Sequence, residues 1–212
     1  MEKTNLFQND LWMPFVISLA LTISLSPSVA IASTPTLGSF DHIEHSFHLQ
    51  PKALPIQTIV QKLRHADTFV VSNQGPELTA FMDPNCIWCH RFYEKAMPLV
   101  RAGKLHLRVA LVGFLKPTSA AKAAAILAAK NPAKALAFDE SHFNVTTEEG
   151  GIRPDYQAPL SIRRAVTYNT QLLIHTGEEA TSTLLYFSKK KEWQLQHGLG
   201  LHGLHNILEA IS

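Results

Sequence analysis

Leu78-Thr79-Ala80-Phe81-Met82-Asp83-Pro84-Asn85-Cys86-Ile87-Trp88-Cys89 is the stretch that decides the fold. The apolar run 78–82 reads as a buried strand and Asp83-Pro84-Asn85 as a turn. From Cys86 through Arg91-Phe92-Tyr93-Glu94-Lys95-Ala96-Met97 the pattern is that of an amphipathic helix. Cys86 and Cys89 are the only two cysteines of the chain. A disulfide between them would close almost no loop, so it would stabilise the fold little by restricting the unfolded chain. The chemistries open to such a pair are redox exchange, metal binding and haem attachment.

Outward from this stretch the elements alternate. Ile56, Ile59, Val60 and Leu63 have helical spacing. Asp67 to Val71 reads as a strand, Asn73-Gln74-Gly75-Pro76 as a turn, and 77–83 as a central strand. Pro98 predicts a kink or break near Met97, and Gly103 ends that helix. Leu105 to Val112 reads as a strand. The alanine-rich 119–130 reads as a helix, with a second from Asn131-Pro132 to about Phe138 and a third over 160–175. Thr183–Phe187 and Glu192–Gln196 form a hairpin around Lys189-Lys190-Lys191, and a helix over 202–211 closes the chain. This order predicts an α/β thioredoxin-like fold with a helical insertion, about 118–176, between its βαβ and ββα halves. The expected domain is 66–212, preceded by an arm and linker helix over 33–65.

Residues 1–32 read as an export signal. Leu11–Ser26 is mostly apolar, and Ala30-Ile31-Ala32 is an A-x-A cleavage site with Ser33 following. The charged flank is weak, since Lys3 is offset by Glu2 and Asp10. Uncleaved, the segment would be a membrane anchor; cleaved, it places the protein in the periplasm. Outside the cytoplasm two cysteines can remain oxidised. The net charge of +2 is too small to argue for nucleic acid.

Cys86 falls at a helix N-terminus, where free N–H groups and the helix dipole favour a thiolate. It is the expected nucleophile. Cys89, one turn on and within disulfide reach, is the expected resolving thiol. Ile87 and Trp88 lie between them and are expected to contact substrate. Cys86-Ile87-Trp88-Cys89-His90 is also a C-x-x-C-H haem-attachment pattern. A metal or iron–sulfur site would need ligands beyond two thiolates. The chain has 11 histidines, with His42, His45 and His48 spaced by threes and His197, His202 and His205 near the C-terminus. Scattered surface histidines are the simpler reading, and no metal ligand set and no soluble cofactor is expected.

Phe81-Met82-Asp83-Pro84-Asn85-Cys86-Ile87-Trp88-Cys89 resembles the F-x-D-P-x-C-x-x-C of the periplasmic DsbC- and DsbG-like thiol:disulfide interchange proteins. Leu111-Val112-Gly113-Phe114-Leu115-Lys116-Pro117, Ala123–Ala128 and Asn131-Pro132-Ala133-Lys134 resemble the DsbG branch. The resemblance is specific over about 77–137 and fainter over about 169–212. It implies a disulfide reductase or isomerase acting on exported proteins, with electrons from a membrane reductase of the DsbD kind. It also implies that Thr181 offers backbone hydrogen bonds to a substrate strand. Two departures stand out. Only residues 33–55 lie between the expected cleavage site and the 56–64 helix, too few for the family's N-terminal dimerisation domain, which leaves the oligomeric state open. Ser182 stands where the family has a cis-proline facing the thiols, and no proline follows Pro159. The alternative function is therefore a non-catalytic envelope binding protein of the same fold, holding a client, a metal or an iron–sulfur cluster through the two cysteines.

Overall fold

The computed structural model describes residues 52–199 and 203–211. The expected signal segment and nearly all of the 33–55 arm, with His42, His45, His48 and also His202, lie outside the described residues. Along the chain come α1 (Ile56–Leu63), β1 (Phe69–Val70), β2 (Glu77–Met82), α2 (Ile87–Arg101) and β3 (His106–Leu111). The helices α3 (Ser119–Ala128), α4 (Pro132–Ser141) and α5 (Leu160–Ile174) follow, then β4 (Thr183–Phe187), β5 (Trp193–His197) and α6 (Gly203–Ile211).

The strands form one sheet in the order β1-β3-β2-β4-β5. β2 and β3 are parallel; the other pairs are antiparallel. β2 is central, with Ala80 opposite Val109 on one side and Leu184 on the other. Two-residue alternation sends its side chains to opposite faces. Leu78, Ala80 and Met82 join Leu107, Val109 and Leu111 in a core with Phe92 and Ala96 of α2, Leu136 of α4 and Ile207 of α6. Phe81, Ala110 and Val112 meet Ile59 of α1 and Leu172 and Leu173 of α5 on the other face. The continuous apolar run at 78–82 is thus a strand covered on both faces. The helices α3, α4 and α5 occupy the insertion between β3 and β4.

One element differs from the sequence reading. Pro98 does not break α2, which runs unbroken to Arg101. Only its last turn follows the proline, and buried Ala96 and Val100 hold that turn on the core. The end is closed by Ala102 N–H to Pro98 O (3.1 Å) and Lys104 N–H to Leu99 O (2.9 Å), with Gly103 at φ +67°, the left-handed conformation that terminates helices. The helix α4 runs a few residues past Phe138 to Ser141, and it carries Asp139 and Glu140 inward.

Asp139 is 0% exposed. Its Oδ1 accepts from Ile152 N–H (2.9 Å), and its Oδ2 has no partner. Burial pushes this carboxyl from the ordinary 3.8 up to about 7; Glu140 adds to the rise, while the Ile152 N–H and Lys122 oppose it. Between those two values the unfolded chain has released the proton and the folded chain has kept it. Stability contributed by this group therefore falls as pH rises from about 4 to about 7. Asp139→Asn is expected to flatten that slope. In thermal melts from acid to mildly alkaline pH, the variant should gain on the wild type with rising pH, by at most about 4 kcal/mol at the alkaline end. Parallel slopes for the two proteins would contradict the assignment.

Candidate active site

The β2–α2 turn is built around Asp83, a buried carboxylate at the end of the central strand. Its Oδ1 accepts from Asn85 N–H (2.9 Å) and the Ser119 hydroxyl (2.7 Å); its Oδ2 accepts from Phe114 N–H (2.9 Å) and Leu115 N–H (3.1 Å). One side chain thus ties the turn before α2 to the loop after β3. Asn85 is buried too. Its amide donates to Thr118 Oγ1 and Ser119 Oγ, both at 3.0 Å. Its carbonyl oxygen accepts from the buried Lys122 ammonium (2.9 Å) and from Gly150 N–H (3.3 Å). Lys122 also donates to Gly150 O (2.7 Å). Buried polar groups are tolerable when every one is bonded, and here the bonds converge on the residue preceding Cys86.

Cys86 is the N-cap of α2, and its sulfur accepts the Cys89 backbone N–H at 3.1 Å. The two cysteines are in the dithiol form. As a thiol, Cys86 Sγ reaches the Thr181 carbonyl oxygen at 3.7 Å. The Thr181 hydroxyl is buried without another partner, and it is the donor left to a thiolate. The Cys86 pKa is held below the ordinary thiol value, first by the hydrogen bond from the Cys89 thiol. Thr181 and the backbone N–H groups of Cys89 and Trp88 assist against burial. Cys89, 0% exposed, is pushed well above the ordinary value by burial first, then by its hydrogen bond to Cys86 and the Cys86 charge, then by the charge on Glu140. The pair is therefore polarised, with one thiol that ionises easily at the floor of a cleft and one that keeps its proton beneath it.

Cys86, Ile87, Trp88 and Thr181 line one open cleft of about 370 Å³, together with Leu115, Lys116, Glu148 and Glu179. Trp88 is 53% exposed and carries the Arg91 guanidinium 4.7 Å from its ring centre. Lys116 is hydrogen-bonded to Thr147 O. Ser182 is not on the cleft wall; it is buried, its hydroxyl has no partner, and the Thr181–Ser182 peptide is cis. Of the residues singled out from sequence, Cys86, Ile87, Trp88 and Thr181 come together, with Cys89 beneath them. Sequence reasoning did not find Asp83 and Asn85 as more than turn formers, nor Ser119, Lys122 and Glu140. A lone lysine in Ala120-Ala121-Lys122-Ala123-Ala124 was the one signal available for the buried ammonium.

The C-x-x-C-H haem pattern does not fit this geometry. Cys89 has no exposed surface, and the His90 imidazole is stacked on Phe143 (4.5 Å between centres) and bonded through Nδ1 to Glu140 Oε2 (2.9 Å). Among the described residues no group of three or more His, Cys, Asp or Glu side chains is placed to hold a metal ion. No helix of the described residues is long and apolar enough to cross a membrane.

These features define a class: a thioredoxin-like α/β fold with a polarised CxxC dithiol at the start of the helix that follows the central strand. No family model matches the chain. Individual proteins do. Thiol:disulfide interchange protein DsbG of Pseudomonas aeruginosa is 37% identical over 118 residues, covering 56% of this chain and 44% of that one. DsbG of Escherichia coli is 37% identical over 130 residues, covering 60% and 50%. The likeness to DsbG expected from the residues is thus present, and the chain spans about half the length of these curated relatives. Among solved structures, Proteus mirabilis ScsC in a compact conformation superposes with a TM-score of 0.58 at 14% identity, covering 76% of this chain and 80% of that one. A periplasmic thioredoxin-like protein from Salmonella enterica serovar Typhimurium gives 0.54 at 17% identity, covering 74% and 97%. At such identities the likeness is one of fold, and it bears out the thioredoxin-like architecture.

Proposed function

We propose that this chain is a periplasmic thiol–disulfide oxidoreductase of the reductase or isomerase type, delivered by a cleaved signal at 1–32. The observation that carries this reading is the polarised pair: Cys86 at the floor of an open cleft with a lowered pKa, and Cys89 buried under it with a raised one. The Cys86 thiolate attacks one sulfur of a client disulfide. A Cys86–client disulfide forms and the other client sulfur leaves as a thiolate. Cys89 then loses its proton and attacks Cys86 Sγ. The Cys86–Cys89 disulfide forms, and the client departs with both its sulfurs reduced. Ile87 and Trp88 contact the client, and Thr181 receives its backbone; Ser182, expected to bind substrate, lies buried behind it. The curated DsbG relatives support protein substrates with disulfides; in this proposal those substrates are exported proteins and the electrons come from a membrane reductase of the DsbD kind. No soluble cofactor takes part.

A second reading, a non-catalytic binding protein, is favoured by one feature: the Ser182 hydroxyl, buried and unpartnered where the resembled family has a proline ring. Equilibrating the mature protein in glutathione buffers, with an absorption spectrum of the same sample, separates the two. A reversible two-electron couple between about −120 and −230 mV is expected for the oxidoreductase. Thiols that do not equilibrate, or a coloured protein with blocked thiols, would select the binding reading.

A further inference from the structure

Three buried side chains meet at one residue, Gly150. Its N–H donates to Asn85 Oδ1 at 3.3 Å, and its carbonyl oxygen accepts from the Lys122 ammonium at 2.7 Å. Its α-carbon lies against the Asp139 carboxyl, so that a β-carbon there would meet both carboxyl oxygens. The same stretch is fastened to Asp139 twice more, by Gly151 N–H to Asp139 O (3.0 Å) and by Ile152 N–H to Asp139 Oδ1 (2.9 Å). Lys122 is 5% exposed, and its two acceptors, Gly150 O and Asn85 Oδ1, carry no charge. Asp139 is wholly buried, and its Oδ2 has no partner. A buried cation on neutral acceptors and a buried acid with a free oxygen thus share one glycine, and that glycine is bonded to the residue before Cys86.

We infer that Asp139 is a positioning residue for Cys86: when it ionises it draws the Lys122 ammonium away from Asn85, and the turn that presents the nucleophile loosens. This deepens the oxidoreductase reading and rests on it. A neutral carboxyl is tolerated at such a site, but a carboxylate needs a counter-charge, because burying a lone charge costs far more than burying a neutral polar group. The charged groups around Asp139 are Glu140 on its own helix, Asp83 in the β2–α2 turn and Lys122 on α3, with His90 of α2 bonded to Glu140. Glu140 and Asp83 repel the new charge, and Lys122 is the cation that offsets it. Any movement of the ammonium toward Asp139 is taken from Asn85 Oδ1, its other acceptor. The field of the new carboxylate acts in the same sense as the loosened turn, since both disfavour the Cys86 thiolate. Burial places this ionisation at about pH 7. Cys86 is therefore held as the better nucleophile on the acid side of that value.

The test is the rate of Cys86 alkylation by iodoacetamide in the reduced mature protein, followed from acid to mildly alkaline pH. The wild-type profile should not follow a single ionisation; its rise should be checked by a second inflection at about pH 7, where Asp139 loses its proton to solvent. Asp139→Asn keeps a neutral group at every pH. It should follow one ionisation and react about threefold faster than wild type above the inflection. Lys122→Met removes the cation that favours the carboxylate, so the inflection should move to higher pH. A merely structural role would lower the stability of both variants and leave the shape of the profile alone. A wild-type profile with one ionisation would overturn the proposal. So would an unchanged second inflection in Asp139→Asn, or in Lys122→Met should the first variant not fold. A wild-type Cys86 that does not alkylate at any pH would instead overturn the oxidoreductase reading, and the positioning role with it.

Discussion

Cys89→Ala is expected to leave the protein covalently joined to its clients. Cys86 keeps its place as N-cap and can still attack, so mixed disulfides form. Their release depends on an intramolecular sulfur held next to Cys86, and such placement corresponds to effective concentrations far above those of free thiols. Insulin reduction should fall by about 1,000-fold or more, and non-reducing gels should show adducts that a small dithiol reverses. Alanine is the better replacement than serine, because a serine hydroxyl would be buried at this position. The variant has a second signature. The hydrogen bond from the Cys89 thiol is the leading cause of the low Cys86 pKa. Its loss should move the pH midpoint of Cys86 alkylation upward. Cys86→Ala should give neither turnover nor adducts. Efficient turnover by Cys89→Ala would remove the resolving role.

Asp83→Ala is expected to be the most destabilising single change in the site. The carboxylate receives four hydrogen bonds from three segments of chain: the turn at 85, the loop at 114–115 and the start of α3 at Ser119. Its removal leaves three backbone donors and a hydroxyl facing a void. Unsatisfied buried groups cost about 1–3 kcal/mol each, relaxation recovers part, and a loss of about 3–5 kcal/mol is expected. For a domain of this size that is a fall on the order of 10 °C in Tm. Asp83→Asn should lose less, since its oxygen can still serve one side of the turn while its amide opposes the donors on the other. A shift of only a degree or two in Asp83→Ala would show that the turn and the loop hold together without it.

The parts of the molecule written in local pattern were legible beforehand. The run 78–82, the turn, the cysteine spacing and the helix behind it decide the fold, because burial on two faces and helical spacing leave short-range marks. Pro98 produces no break, because it stands one turn from the helix end, where Ala96 and Val100 are packed on the core. Asp83 and Glu140 show what local pattern cannot carry. Asp-Pro is ordinary turn chemistry, and nothing nearby says that the carboxylate will receive N–H groups from positions 114 and 115. Glu140 carries no local mark, since its meeting with His90 joins positions fifty residues apart.

Asn85 adds something for anyone who would re-engineer this protein. It stands directly before the reactive cysteine, and its side chain is grasped by Thr118, Ser119, Lys122 and Gly150, all from the stretch between β3 and β4. That stretch is therefore not an interchangeable cassette. A chimera that imports another protein's helices there, but keeps position 85, would graft a foreign lock onto the native key. Exchanges should travel as a set of contacts, with residues 83 and 85 moving together with 118, 119, 122 and 150.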